Sequence, residues 1–365
     1  MHRILLAGGG KIGSLIASLL TRCGDYEIFL IDKEGALNGF TSPSQPLTNF
    51  HLKTLDASDV VEIIKYIKKQ KINTVISALP FHCNRLLAKI AHELQLYYFD
   101  LSEDVENAKY IQQLASNTMP AFVPQCGLAP GFISIVANHL ISHFESIDTV
   151  KMRVGALPLH PNNALKYSLT WSTDGLINEY INPCYGLEDG KIIRLKPLEG
   201  YETIMLDGDR YEAFNTSGGL GTLADSFSGI VNNMNYKTLR YPGHCAKMQF
   251  LLQDLRLNRD RKMLKHILEN AIPQTFQDVV LIYVSVTGKY HGNLFEKSDV
   301  RKIYPAKIAG RHWSAIQLST ATGLCSVVDI TLNQKLKGFI RQENFTLPDI
   351  LQNRFGAHLE NTQPT

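Results

Sequence analysis

The sequence predicts a two-part α/β architecture: a doubly wound parallel sheet, then an inserted α+β domain whose sheet is mostly antiparallel. Three observations carry this reading. A glycine-rich turn, "GGGKIG", directly follows a short continuous apolar run near the start. Strand-like apolar runs then alternate with helical spacings of roughly 10–15 residues through the first third. Beyond residue 127 the pattern changes to strands joined by Asp-Gly turns, with few helices between them.

The first run, "RILLAG" (3–8), has the make-up of a strand buried on both faces. It leads into Gly8, Gly10 and Gly13, spaced as G-x-G-x-x-G. Those glycines suit a tight turn, close backbone approach to a pyrophosphate, and close helix–strand packing. Lys11 and Ile12 open the helix behind them, whose stripe is Ile12, Leu15, Ile16, Leu19 and Leu20. Its first N–H groups face a phosphate. "YEIFLID" (26–32) ends in Asp32, nineteen residues after Gly13. An acid there accepts ribose hydroxyls and repels a 2′-phosphate. The first third is therefore expected to be a Rossmann-type dinucleotide-binding domain that takes NAD in preference to NADP.

"FHLKTLDASD" (50–59) reads as a strand followed by a helix cap at Asp56 or Ser58, with Val61, Ile64 and Ile67 facing inward. "INTVISALP" (72–80) is the next strand, stopped by Pro80. Then come a helix in "CNRLLAKIAHEL", the strand "YYFDLS" (97–102), a helix around "VENAKYIQQL", and "PAFVPQCG" (120–127). Ligands meet such sheets at the C-terminal strand ends. That places Ser77, Ala78, Leu79, Pro80, Asp100 and Gln125–Gly127 on the rim; Asp56, Ala78, Leu79 and Pro80 join the expected cofactor-binding set.

In the middle region a helix carrying Phe132, Ile135, Val136, His139, Leu140 and His143 leads to strands at 149–157 and 164–172. Asp189-Gly190 and Asp207-Gly208 each mark a hairpin. Further strands are expected at 279–290, 300–307 and 312–319, and helical spacing resumes over 323–355. The expected division is 1–125, 126–320, and a closing segment 321–365 that returns to the first domain. His139 and His143 have a zinc-compatible spacing but no accompanying glutamate or third ligand, so no metal is expected.

Composition excludes some partners. Lys and Arg total 37 against 34 Asp and Glu, a net charge of +3 with no basic block, which argues against nucleic acid. Six cysteines are scattered without a C-x-x-C pair, as in a reduced cytoplasmic protein rather than a disulfide scaffold. The start lacks the pattern of a signal peptide, and no apolar run approaches the ~20 residues of a membrane span. A cytoplasmic protein with no membrane partner is expected.

Eight segments together resemble the saccharopine dehydrogenase family, most closely its short lysine 6-dehydrogenase branch. They are "GGGKIG", "SALP", "YYFDLS", "QCGLAPGF", "MRVGALP", "YSLTWSTDGLINEYINP", "AFNTSGGLGTL" and "YKTLRYPGH". The closing stretch "KGFIRQENFTLPDIL" is similar more weakly. The resemblance implies nicotinamide-dependent chemistry at the carbon–nitrogen bond of a lysine-derived amine. Its first form is oxidative deamination of the lysine ε-amine to the semialdehyde. Alternatives are making or breaking a secondary amine, as saccharopine enzymes do, or a dinucleotide-binding sensor without catalysis. A homodimer is the assembly expected by analogy.

Such chemistry needs an unprotonated amine, a proton acceptor, and a cation for the substrate carboxylate. Arg240 is the expected carboxylate fork, with Thr216 and Ser217 adding donors. His244, whose ordinary pKa lies near neutrality, and Lys237 are candidate proton acceptors. Asp174 and Asp100 are candidates for pairing with the α-ammonium or positioning the reacting nitrogen. Strand alternation puts Lys237 with Leu239 on one face, and Thr238 with Arg240 on the other. Cys126 is read as a wall residue, since nothing around it marks an activated thiol.

Overall fold

The computed structural model describes residues 1–33, 48–115 and 119–360. Two compact units are present. Among the described residues, the first contains those of Met1–Gly127 and Thr320–Ala357; the second contains Leu128–Ser319 and 358–360.

In the first unit, β1 (His2–Ala7), α1 (Lys11–Arg22), β2 (Tyr26–Asp32) and β3 (Phe50–Thr54) open the chain. They are followed by α2 (Val60–Lys69), β4 (Thr74–Ser77), α3 (Asn84–Glu93), β5 (Tyr97–Asp100), α4 (Val105–Leu114) and β6 (Ala121–Val123). The strands lie parallel in the order β6-β5-β4-β1-β2-β3, a doubly wound sheet whose order reverses beside β1. Leu5, Phe29, Val75, Tyr98 and Phe122 fill one face of its core with Ile63, Leu87 and Ile111 from the helices.

The helix α2 departs from expectation by one register step. Asp59, not Asp56 or Ser58, caps it by accepting from the Glu62 amide at 3.1 Å. Starting at Val60 turns Ile63, Tyr66 and Ile67 inward and leaves Val61 74% exposed.

The second unit begins with α5 (Phe132–Ile141) and the long strand β7 (Ser146–Pro158). Next come α6 (Thr173–Ile181), β8 (Cys184–Glu188), β9 (Lys191–Leu195), β10 (Glu202–Leu206), β11 (Asp209–Asn215), α7 (Leu223–Phe227) and β12 (Val231–Arg240). The unit continues with α8 (His244–Gln249), α9 (Arg261–Ala271), β13 (Asp278–Tyr290) and β14 (Asn293–Ile303). A small hairpin, β15 (Ala306–Ile308) with β16 (Arg311–Trp313), ends the run. The main order is β10-β11-β12-β7-β13-β14, with β8 and β9 branching from β12. Every pairing is antiparallel except that of β12 with β7.

Both Asp-Gly turns are present, joining β8 to β9 and β10 to β11. Asp189, Gly190, Asp207 and Gly208 all have positive φ, as a type I′ hairpin requires. One expected strand does not form, and another is cut to its first two residues, in β16. Residues 164–172 pair with no strand: Asn163 folds the segment through its carbonyl and side chain, and Lys166 has φ +50°. Residues 312–319 are mostly helix, because the Asp278 carboxylate accepts the Ala315 and Ile316 amides and starts α10 (Ala315–Gln334) there.

At 20 residues, α10 is long and apolar enough by composition to cross a membrane, contrary to the expectation that no such run exists. Its side chains are packed in the protein, with Leu318, Ala321, Leu324, Cys325 and Val328 at or below 1% exposure. The chain then adds β17 (Gly338–Phe339), parallel to β6 at the edge of the first sheet, and α11 (Leu347–Gln352). Residues 361–365 of the expected closing segment lie outside the described residues.

Candidate active site

In the first unit the three glycines do three different things. Gly8 has φ +105°, and a Cβ there would lie 2.8 Å from the Ala78 carbonyl oxygen. A Cβ on Gly13 would fall 1.9 Å from the Gly8 carbonyl oxygen, so the start of α1 packs directly on the turn. Gly10 is the opposite case, with nothing within 4 Å of its Cβ direction. The turn is closed where protein must pack and open where a phosphate would approach the helix N-terminus. This cradle fits a dinucleotide.

Asp32 stands at the end of β2 with its carboxylate fixed. Oδ2 accepts from the Gly9 amide at 2.6 Å, and Oδ1 from the Lys33 amide at 2.7 Å. Lys11 and Ile12 occupy the first turn of α1, and Ala78 donates its amide to the Ala7 carbonyl at 2.8 Å. Leu79 packs over Gly8, and Pro80 starts a short turn of helix. Asp56 braces its own turn by accepting from the Ser58 amide and hydroxyl, and pairs with Lys33 at 3.7 Å.

Asp100 is 0% exposed and braces its own neighbourhood, in place of the expected open contact with the substrate. Its carboxylate accepts from Ser102 N, Gln125 N and the Tyr98 hydroxyl at 2.9–3.0 Å, and burial pushes its pKa up to about 6. It ties the end of β5 to the loop after β6. Cys126 is likewise enclosed, its thiol raised well above the ordinary range by burial.

In the second unit, "YKTLRYPGHC" is the end of β12, a turn, and the start of α8. Glu212, opposite Arg240 on β11, fixes that turn by accepting the Gly243 and Cys245 amides. Arg240 is 3% exposed. Its Nε donates to the Tyr180 hydroxyl at 2.9 Å, and its Nη1 to Thr238 Oγ1 at 2.6 Å and the Leu239 carbonyl at 2.8 Å. The guanidinium lies 4.9 Å from the Tyr167 ring centroid, and Nη2 is 3.6 Å from Glu179 Oε2.

The hydrogen bonds fix the tautomer of His244. Nδ1 is 2.8 Å from the Leu165 carbonyl, which only accepts, so the proton is on Nδ1. Nε2 therefore accepts from the Tyr180 hydroxyl at 2.9 Å. Burial first, and the Arg240 charge second, lower its pKa to about 3. A ring with its lone pair committed and so low a proton affinity is not a proton acceptor at neutral pH. His244 instead holds Tyr180, and Tyr180 holds Arg240.

Two further expectations are corrected by position. Lys237 lies on the other face of β12, paired with Glu202 at 2.9 Å beside Arg153, which also bonds that carboxylate. Thr238 and Arg240 share their face, as alternation requires. Asp174 sits in the first turn of α6 and pairs with Lys265 at 2.7 Å at the partly exposed surface.

Ser217 spends its hydroxyl on the Pro183 carbonyl and its amide on the Glu179 carbonyl. Thr216 is 3% exposed, and its Oγ1 has no hydrogen-bond partner among the described residues. The structure thus brings Arg240, His244 and Ser217 against α6, with Thr216 next to Ser217 in the chain. It also adds Tyr167, Glu179 and Tyr180, which sequence reasoning missed. All three lie in the segment "YSLTWSTDGLINEYINP", and the local signal for Glu179 was a glutamate inside the apolar stretch "LINEYI". Among the described residues no cluster of three or more metal-ligating side chains occurs.

Two family models divide the chain between them. The saccharopine dehydrogenase NADP binding domain matches residues 4–124, and the saccharopine dehydrogenase C-terminal domain matches residues 127–359. The chain belongs to the saccharopine dehydrogenase family. Members of this family are NAD(P)-dependent oxidoreductases that act on CH–NH donors.

Among curated relatives, an α-aminoadipic semialdehyde synthase of Arabidopsis thaliana is 26% identical over 155 residues, 41% of this chain and 14% of the relative. The mitochondrial α-aminoadipic semialdehyde synthase of Rattus norvegicus is 20% identical over 273 residues, 71% of this chain and 29% of the relative. The chain thus spans less than a third of the length of these relatives. Two solved structures share the fold. Saccharopine dehydrogenase (L-Glu forming) from Saccharomyces cerevisiae aligns at TM-score 0.74 and 16% identity, covering 96% of this chain and 95% of that one. Homospermidine synthase from Legionella pneumophila, solved with NAD, aligns at 0.67 and 13% identity, covering 99% and 90%.

Proposed function

We propose that the chain is a nicotinamide-dependent oxidoreductase acting at the C–N bond of lysine or a lysine-derived amino acid, with oxidation of the lysine ε-amine to the semialdehyde as its first form. The observation that carries the reading is Arg240. A guanidinium is held inside an aromatic-walled site by Tyr180, Thr238 and the Leu239 carbonyl, 4.9 Å from the Tyr167 ring centroid. Burying a cation is costly, and a substrate carboxylate is one ligand that offsets the cost.

Bound at the glycine turn of the first unit, the dinucleotide supplies the two-electron acceptor. Gly8, Gly10 and Gly13 shape that turn, the first amides of α1 would meet the pyrophosphate, and Asp32 would receive the adenosine ribose. The fixed Asp32 carboxylate favours NAD, since a 2′-phosphate would meet it directly.

A second reading, cleavage or formation of a secondary amine, is favoured by the names of the similar proteins, which include a saccharopine dehydrogenase and a homospermidine synthase. One experiment separates the two. Purified protein is supplied with NAD or NADP at alkaline pH and offered L-lysine, L-ornithine or saccharopine, with reduced nicotinamide and products measured. Turnover of lysine with release of ammonia supports the first reading. Turnover of saccharopine alone, with release of an amino acid, transfers support to the second. No turnover of any basic amino acid or conjugate overturns both.

A further inference from the structure

We propose that Arg240 and Glu179 form a two-charge receptor for the α-amino-acid head of the substrate, so that the site takes amino acids and excludes simple diamines. This rests on the functional reading above and names the substrate end that the site grips.

The geometry begins with which edge of Arg240 is committed. Nε is spent on Tyr180, and Nη1 on Thr238 and the Leu239 carbonyl. The Nη2 corner therefore faces Glu179 Oε2, at 3.6 Å. That spacing is an ion pair without a direct hydrogen bond. Both groups are enclosed, Arg240 at 3% and the Glu179 side chain at 10% exposure.

A loose, enclosed ion pair of this kind matches a zwitterion. Its carboxylate takes the Nη2 side of the fork, its ammonium takes the Glu179 carboxylate, and four charges then alternate in sign. A carboxylate has two oxygens and about four acceptor sites, so Glu179 keeps its existing contacts while receiving an ammonium. A ligand with only one of the two charges leaves the other protein charge uncompensated in a low-dielectric site.

The surroundings hold both charges in place. Glu179 and Tyr180 are neighbours on α6, and the Ser217 amide ties the Glu179 carbonyl to the loop after β11. The His244–Tyr180 bond sets the tilt of the guanidinium. The acids expected from sequence to meet the ammonium have other partners: Asp174 pairs with Lys265, and Asp100 accepts from Tyr98, Ser102 and Gln125.

The test uses binding, not turnover. Calorimetry on the NADH-loaded protein, which holds no electron acceptor, compares L-lysine, L-norleucine (the head without the reacting amine), 6-aminohexanoate (no α-ammonium) and cadaverine (no carboxylate). Norleucine and lysine are expected to bind. The two ligands that lack one head charge are expected to bind at least about tenfold more weakly than lysine, the value of one charged hydrogen bond. Glu179→Gln should erase the discrimination against 6-aminohexanoate but keep that against cadaverine; Arg240→Gln should do the reverse.

Cadaverine binding as tightly as lysine overturns the proposal. So does a Glu179→Gln protein that weakens lysine and 6-aminohexanoate equally. The wild-type ligand series decides the matter even if a variant fails to fold. Norleucine binding with this charge dependence, in a protein that does not oxidise lysine, upholds the receptor while the lysine reading fails.

Discussion

Replacing Gly10 and Gly13 separately by alanine should produce opposite failures. At Gly13 the new methyl would sit 1.9 Å from the Gly8 carbonyl oxygen and 3.4 Å from the Ala78 Cβ, so backbone must move. Overpacking of that kind costs about 3 kcal/mol. The better helix propensity of alanine returns about 1 kcal/mol. The net loss of about 2 kcal/mol corresponds to a Tm lower by roughly 4–8 °C for a unit of this size. At Gly10 the methyl meets nothing within 4 Å and the backbone φ is −68°, which alanine adopts freely. The apoprotein should then stay within about 1 kcal/mol of wild type, the cost of a poorer helix cap. Its NAD affinity should nevertheless fall at least about tenfold, because the methyl occupies the path of the pyrophosphate. Thermal melts with and without NAD, plus calorimetric titration, read both effects. A Gly10→Ala protein that binds NAD like wild type would refute the reasoning.

Three further outcomes follow from the same geometry. Asp32→Asn should weaken NAD and narrow the NAD-over-NADP affinity ratio at least about tenfold, measured by titrating both cofactors; an unchanged ratio would remove Asp32 from cofactor selection. Asp100 has a folded pKa raised from 3.8 to about 6, so its contribution is greatest at low pH and is lost as pH rises through about 6. Denaturant melts of Asp100→Asn should therefore show a flatter stability profile between pH 4 and about 6.5, and a slope identical to wild type would contradict the assignment. His244, with a pKa of about 3, should not titrate between about pH 5 and 9, so His244→Gln should lower kcat/KM without moving either limb of the pH–rate profile. Loss of the acidic limb in that variant would restore His244 as the proton acceptor.

What could be read from the sequence was whatever depends on local spacing. The glycine turn and the two Asp-Gly hairpins are fixed by backbone conformations that few residues allow, so residue type alone marks them. The faces of Lys237 and Arg240 follow from strand alternation, and the pairing of Lys237 with Glu202 agrees.

Features that depend on long-range contacts were not legible in this way. Residues 164–172 have strand-like composition but no strand beside them; Leu169 instead donates its amide to the Pro273 carbonyl. The apolar length of α10 was hidden by Ser319, Thr322 and Ser326, yet Ser319 and Ser326 bond back to carbonyls four residues earlier and pack inside. The chemistry of His244 turned on two partners 64 and 79 residues away, Tyr180 and the Leu165 carbonyl. Glu179 was overlooked because nothing local ties it to Arg240; the fold brings them to 3.6 Å.

The central claim is that the Arg240 face of the second-unit sheet holds the substrate. An experimental structure with NAD and L-norleucine bound tests it most directly. The account predicts the ligand carboxylate within hydrogen-bond distance of the Arg240 guanidinium and its ammonium at Glu179. Ligand density on the opposite face, at Arg153 and Lys237, or at a site with no contact to Arg240, would contradict it.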